Sequence, residues 1–289
     1  MKTIIMPVIY TFLLSLLFSC SLNTSEDNKT RPDFNPSSDL LLLQFDSKTD
    51  ADDITSIAAT GSILKKLGEE ETNYLAVAGA YGKQGGLYIP SPELFNLVFQ
   101  DNWVDVHNQR QEAVDAIYKT VKKTLKNGGN VWVMEAGQSD VSAKWLKLLQ
   151  NDFASSILKK QIHIVQHSNW NEQETTPTSL QFVKENAAYH RIEDGNHTNN
   201  STAGFHEVNS KFIDTISSNP IHGESWTLAF DIVEQYNGKD GRYLNPMIAQ
   251  EGGVDFSDVA ELTWILQLDQ IKDVDDFADW LGIYYTNGI

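Results

Sequence analysis

The sequence predicts an α/β domain built on a mostly parallel sheet with helices on both faces. Apolar runs without polar alternation, such as "LLLLQF" (40–45) and "NVWVMEAG" (130–137), read as strands buried on both sides. Each is followed by a stretch whose apolar residues repeat at helical spacing, the alternation expected of crossover-connected parallel strands. Polar clusters at residues 46–53, 80–84, 135–140 and 167–172 fall just beyond the strands, where open sheets of this kind bind ligands.

Taken in order, "LLLLQF" leads into a helix whose inward face carries Ile54, Ile57, Ala58, Gly61, Leu64 and Leu67. "NYLAVAGAYG" (73–82) is a second strand ending in small residues. Residues 109–126 form a helix with Ala113, Ile117, Val121 and Leu125 inward, stopped by "NGG". After the third strand at 130–137, "SDVSAKWLKLLQND" is a helix capped by Ser139 or Asp140. "QIHIVQHS" (161–168) is the fourth strand, and "GNHTNNSTAG" (195–204) is a polar loop. "GGVDFSDVAELTWILQL" (252–268) reads as a turn and then a helix, and "DDFADWLGIYY" as a short amphipathic helix or docking segment.

The 289 residues suffice for one sizeable domain or two small ones, and an apolar fraction of 41% with seven tryptophans supplies an ordinary core. A formal charge of −17 argues against nucleic acid, whose phosphates demand concentrated Lys and Arg. Much of that charge serves solubility.

The N-terminus reads as an export signal: Lys2, the apolar run "IIMPVIYTFLLSLLF", then "LFSC". At about 15 residues the run is short for a membrane span. Cys20 is the single cysteine, so no internal disulfide can form. "LFSC" resembles the lipobox of bacterial lipoproteins, whose cysteine becomes the lipidated N-terminus; the plainer alternative is a cleaved secretory signal with an incidental Cys20. The expected organisation is a signal peptide over 1–20, a flexible tether over 21–39, and one α/β domain over 40–289. The lipobox implies a lipid anchor in the cell envelope, at the outer membrane of a Gram-negative-type bacterium.

In "FDSKTDADD" four acids, Asp46, Asp50, Asp52 and Asp53, crowd around Lys48. Several carboxylates converging from different segments suit a hard cation. Alternatively two of them cap helix amides and two are solvated turn residues. An EF-hand is a poorer fit, because the third acid, the glycine and the closing glutamate are missing. His167, Asn169, Trp170 and Asn171 in "HSNWNE" combine ring stacking with amide hydrogen bonding, which suits a sugar, unless Trp170 belongs to the core. His222 and Glu224 in "IHGESW" are spaced to face one pocket. Cleaving a sugar bond requires an acid and a base. Asp50, Asp52 and Glu172 are the catalytic candidates, and Glu135 joins the substrate-binding set. No phosphate-binding fingerprint, Cys/His zinc pattern or G-x-S-x-G elbow occurs.

A buried strand followed by "FDSKTDADDITSIAA" resembles the opening Asp-x-Asp-Pro-Gly-x-Asp-Asp motif of the nucleoside hydrolase superfamily, a Rossmann-like fold. "NYLAVAGAYG" is similar to its second strand, which ends in Gly-Asn, and "NVWVMEAGQSDVSA" to the strand and loop that offer a carbonyl to the metal. "VDFSDVAELTWIL" is similar to the late His-Asp-x-x-Ala segment, with Ser257 at the histidine and Glu261 at the alanine. "QHSNWNEQETTPTSLQFVKENAAYHRIEDGN" resembles a divergent exported branch found with carbohydrate-degrading genes. The resemblance implies a calcium site at Asp46, Asp53, Asp258 and, through a carbonyl, about Asp140. It also implies departures: Lys48 stands at the motif's second aspartate, Asp50 at its glycine, and Ala80 at the substrate-binding asparagine. Lys48 then either replaces the cation by pairing with Asp53 and Asp258, leaving a metal-free site, or swings outward while Asp50 supplies the missing oxygen. The expected function is hydrolysis of an N- or O-glycosidic bond in a small sugar-containing substrate or glycan fragment. The alternative is a non-catalytic lipoprotein that binds carbohydrate or nucleoside.

Overall fold

A computed structural model describes residues 31–68 and 71–284. The chain divides into two units, Met1–Pro32 and Asp33–Ile289. The signal segment, Cys20 and tether residues up to 30 lie outside the described residues. The second unit begins ahead of the expected Leu40, because Asp39 is tied to the sheet: its carboxylate accepts from the Asn130 amide (2.8 Å) and from Trp132 Nε1 (3.1 Å).

The first half alternates strand and helix: β1 (Leu40–Phe45), α1 (Asp52–Leu67), β2 (Tyr74–Ala78), α2 (Pro92–Phe99), β3 (Trp103–Asp105), α3 (Arg110–Lys126) and β4 (Val131–Ala136), of which α2 and the three-residue edge strand β3 were not read from the sequence. Then come α4 (Asp140–Leu149), α5 (Ser155–Gln161), β5 (Ile162–Gln166), α6 (Asn169–Glu174), α7 (Pro177–Asn186) and β6 (Ala188–Arg191). The last part holds β7 (His206–Val208), α8 (Ser210–Ser217), α9 (Gly223–Tyr236), β8 (Gly253–Asp255), α10 (Val259–Ile265) and α11 (Val274–Leu281). Among the described residues no helix is long and apolar enough to cross a membrane.

Six parallel strands form one sheet in the order β3-β2-β1-β4-β5-β6, while β7 and β8 pair antiparallel in a separate ribbon. The apolar run of β1 sits at the centre and is buried along its whole length. Its side chains alternate between two cores. Leu41, Leu43 and Phe45 join α1, α2 and α8 to α11 on one face, with Phe95, Trp226 and Phe256 among their neighbours. Leu40 and Leu42 join α3, α4, α5 and α7 on the other, with Ile117, Trp145 and Leu158. Strand order reverses between β1 and β4, so the crevice at their C-terminal ends is the topological switch point. Asp46 and Gly137 are the residues that leave those two strands.

Two local expectations shift. The second strand stops at Ala78 because Gly79 turns at φ +78°, with His107 so close that a Cβ would lie 2.8 Å from its backbone nitrogen. Ser139 precedes α4, but its hydroxyl donates to the Glu135 carboxylate and does not cap the helix.

Candidate active site at the strand ends

The turn between β1 and α1 decides which side chains face the crevice. Ser47 and Thr49, on either side of Lys48, both take left-handed backbone conformations, at φ +49° and +89°. That geometry is costly for a β-branched residue and is held by its surroundings. The Ser47 amide donates to Asp53 Oδ2 at 2.6 Å, and its carbonyl accepts from the Ile89 amide at 2.8 Å. Lys48 lines the crevice, but the two reversals leave its ammonium unpaired with the acids. Its ammonium donates to the Gln84 carbonyl at 3.0 Å and lies 4.4 Å over the Tyr81 ring. Among the described residues no ion pair joins it to Asp53 or Asp258. The pairing in which Lys48 stands in for a cation is therefore not the arrangement found.

A cavity of about 390 Å³ opens beyond the strand ends, walled by Asp46, Asp50, Asp52, Asp53, Asp255 and Asp258. One oxygen each from Asp52, Asp53 and Asp258 lies within 4.8 Å of the others. Asp53 Oδ1 is buried without a partner, and Asp258 Oδ2 accepts from Ser56 Oγ at 3.2 Å. Burial, then Asp258 and Asp46, pushes Asp53 well above the ordinary carboxylate range; burial, then Asp50, does the same to Asp52. Asp258 is raised by burial and by Glu261. Asp46 rises to about 6 through burial, although the Asp53 carboxyl and the Lys48 amide hydrogen-bond to it. These buried carboxyls hold one another above the ordinary range, so they resist ionising together without a counter-charge. A divalent cation supplies that charge. The all-oxygen donor set and the orphaned Asp53 Oδ1 fit a hard cation such as calcium and not zinc. Asp46 stands beside this set: Gln84 and Gln138 amides (3.1 and 3.0 Å) hold Oδ2, and the Lys48 amide (2.7 Å) holds Oδ1.

The opposite wall comes from β5 and the β7–β8 ribbon. His167 follows β5; its backbone amide donates to Glu261 Oε1 at 3.0 Å. Nδ1 accepts from the Gly195 amide at 3.2 Å, so the ring proton sits on Nε2, which lies 3.6 Å from Asp258 Oδ1. Asn171 accepts from Gln138 at 3.3 Å, and Trp170 stands at the rim, 42% exposed, outside the core. On the ribbon, His206 Nδ1 lies 2.9 Å from Asp255 Oδ2, across the register pair His206–Asp255. Asp255 also accepts from Asn245 (2.8 Å) and from the Ser257 amide (3.2 Å), so protein donors occupy both its oxygens.

No family model matches the chain, and no curated protein matches it. One solved structure similar to it is a nucleoside hydrolase-related hypothetical protein from Saccharophagus degradans. That protein is described as associated with carbohydrate metabolism. The two are 12% identical over 88% of this chain and 73% of that one, with a TM-score of 0.40. The chemistry of the site rests on its own residues.

Of the residues expected at the site, Asp46, Asp50, Asp52, Asp53, His167, Trp170, Asn171 and Asp258 do line the cavity. Six others do not. Glu135 is in β4 on the opposite side of the pleat from Met134 and Ala136. There it accepts from Gln44 and Ser139, fully buried, and burial lifts it to about 7. Glu172 turns toward α7 and β6, paired with Lys184 at 2.7 Å and Tyr189 at 3.0 Å. Asn169 accepts from Arg191. Asp140 opens α4 and accepts from the Thr176 amide at 3.0 Å. His222 and Glu224 start α9 beside the far end of α1, where Lys65 bonds the Ile221 carbonyl. At 1.5 Å per residue, the 16 residues of α1 put that end about 24 Å from Asp52.

Sequence reasoning missed Asn196, His206, Tyr243, Asn245 and Asp255, all on the cavity wall. Asp255 had a readable signal, lying beside Asp258 in "VDFSD". His206 and Asn245 had none, because they reach the site through a ribbon of three-residue strands and an irregular loop.

Proposed function

We propose that the protein is a hydrolase that cleaves an N- or O-glycosidic bond of a small sugar-containing substrate, exported and anchored by lipid at Cys20. The observation that carries the hydrolase reading is the cavity itself, where six aspartates from the β1–α1 turn, α1, the ribbon and the start of α10 converge, with the Lys48 ammonium on the same wall held by the Gln84 carbonyl. Asp52, Asp53 and Asp258 would hold a calcium-type cation, and when bound it would supply a polarised, more acidic water at the strand ends. Asp50, beside Asp52 on the cavity wall, accepts the proton lost by the attacking water. Trp170 and Tyr243, 42% and 51% exposed at the rim, offer ring faces to the sugar, while Asn171 and Asn196 offer amides.

The test is a screen of 4-nitrophenyl glycosides and nucleosides with calcium present. Wild type is expected to turn over at least one of them, and Asp50→Asn and Asp52→Asn each to lower kcat by about 10²-fold or more. Lys48→Ala should leave kcat within a few fold. Binding of sugars without turnover would replace the hydrolase reading with that of a non-catalytic carbohydrate-binding lipoprotein.

A further inference from the structure

Hydrolysis of a glycosidic bond also needs a proton for the departing group unless that group is a stable anion. Most ionisable groups on the cavity wall are committed elsewhere. Asp52, Asp53 and Asp258 form the cation set, and amides clasp Asp46. Both ring nitrogens of His167 are directed at protein groups, the Gly195 amide and Asp258. The Lys48 ammonium is on Gln84.

His206 is different. Its ring lines the cavity and is 27% exposed, with Nδ1 fixed on Asp255 Oδ2 at 2.9 Å. Among the described residues no protein group partners Nε2. Asp255 is itself held by Asn245 and the Ser257 amide, so the ring is oriented by a buried carboxylate that cannot swing away. An imidazole fixed through one nitrogen, with the other free toward a substrate cavity, is the arrangement a proton donor requires. We propose that His206, oriented by Asp255, is the general acid that delivers a proton from Nε2 to the leaving group. This rests on the hydrolase reading above. As the bond from the anomeric carbon to the leaving atom breaks, its electron pair stays on the leaving atom and takes the Nε2 proton. The attacking water completes the sugar hydroxyl and loses its proton to Asp50. Bond making and breaking balance without a further reactant.

The surrounding charges favour the protonated ring. The hydrogen bond that Nδ1 donates to Asp255 comes first, and burial opposes it; the charges of Asp255, of Asp50 in the turn after β1, and of Asp194 in the loop before β7 add to the upward shift.

The experiment compares two glycosides of whichever sugar wild type hydrolyses, one with a 4-nitrophenyl leaving group and one with a methyl group. Nitrophenolate leaves without protonation and methoxide does not. His206→Gln is expected to slow methyl glycoside hydrolysis about 10²–10⁴-fold and nitrophenyl hydrolysis less than about 10-fold. Loss of the charge in Asp255→Asn lowers the His206 pKa, so the alkaline limb of kcat/KM should move to lower pH. Equal losses on both substrates would mean a structural role and overturn the proposal, as would an unchanged methyl glycoside rate or an unmoved alkaline limb. If wild type hydrolyses neither substrate, the hydrolase reading fails first and this one falls with it. If wild type hydrolyses both and His206→Gln does too, only the role of His206 fails.

Discussion

In the presence of a chelator the protein is expected to lose stability as the pH rises from about 4 to about 7. The direction follows from the raised carboxyl groups. Burial holds Asp46 at about 6 against an ordinary 3.8, and Glu135 at about 7 against 4.5. Between those values the folded chain binds protons that the unfolded chain has released, so stability falls with rising pH. Below the ordinary values the contribution is complete, and above the raised values it is gone. At about 1.4 kcal/mol per unit, each of the two groups contributes on the order of 3 kcal/mol across its window. Asp52, Asp53 and Asp258 shift in the same direction and extend the trend. Saturating calcium should cancel the part that belongs to the cluster, because the cation takes over the role of the protons. It should leave the part that belongs to Glu135, which lies on the other face of the sheet, and Glu135→Gln should remove that remainder. Thermal melts of wild type and Glu135→Gln at pH 4.5 and 7.5, with chelator and with calcium, separate the two contributions. A melting temperature that rises with pH in chelator would contradict the account.

The second large effect is expected at Gly137→Ala. Gly137 leaves β4 at φ +137°, a conformation that favours glycine. A Cβ there would lie 2.7 Å from Asp46 Cβ and 3.0 Å from the Ala80 carbonyl oxygen. Neither neighbour can retreat easily: Asp46 is clasped by three donors, and the Ala80 carbonyl accepts from the Gln138 amide. Backbone strain and overpacking together cost about 2–5 kcal/mol. For a domain of this size that is about 5–15 °C in Tm. Because the clash falls on Asp46, calcium binding should weaken as well. Gly85→Ala is the control: its Cβ meets nothing within 4 Å, and Tm should stay within about 2 °C. Similar melts for both variants would mean that the packing around the β4 exit is not what fixes Asp46.

The sheet was legible because its central strands are long and apolar on both sides. "LLLLQF" reads as a buried strand, and the helix that follows it and the one at 109–126 repeat clearly, while the eight-residue α2 did not show. Polar residues beyond those strands marked the right rim. What failed to show was the direction of single side chains. Lys48 looked like a partner for the acids because spacing alone cannot reveal the left-handed Ser47 and Thr49 or the Gln84 carbonyl that takes its ammonium. Glu135 looked like a rim residue, yet one step of strand pleat sends it to the opposite face. His222 and Glu224 looked like a pocket pair, but they sit beside the wrong end of α1. His206 and Asp255 became a pair only through a ribbon too short to leave a period in the sequence.

On the proposed reading Asp52, Asp53 and Asp258 form a divalent-cation site and the Lys48 ammonium takes no part in it. Calcium titration of the chelator-treated full chain, followed by thermal melting, decides between this site and none. At about a hundred-fold excess over Kd, binding adds about 2.7 kcal/mol, or about 5–10 °C in Tm for a domain of this size. That rise is expected in wild type and in Lys48→Ala, and its loss in Asp53→Asn and Asp258→Asn. No rise in wild type at millimolar calcium, or an equal rise in Asp53→Asn, would contradict it.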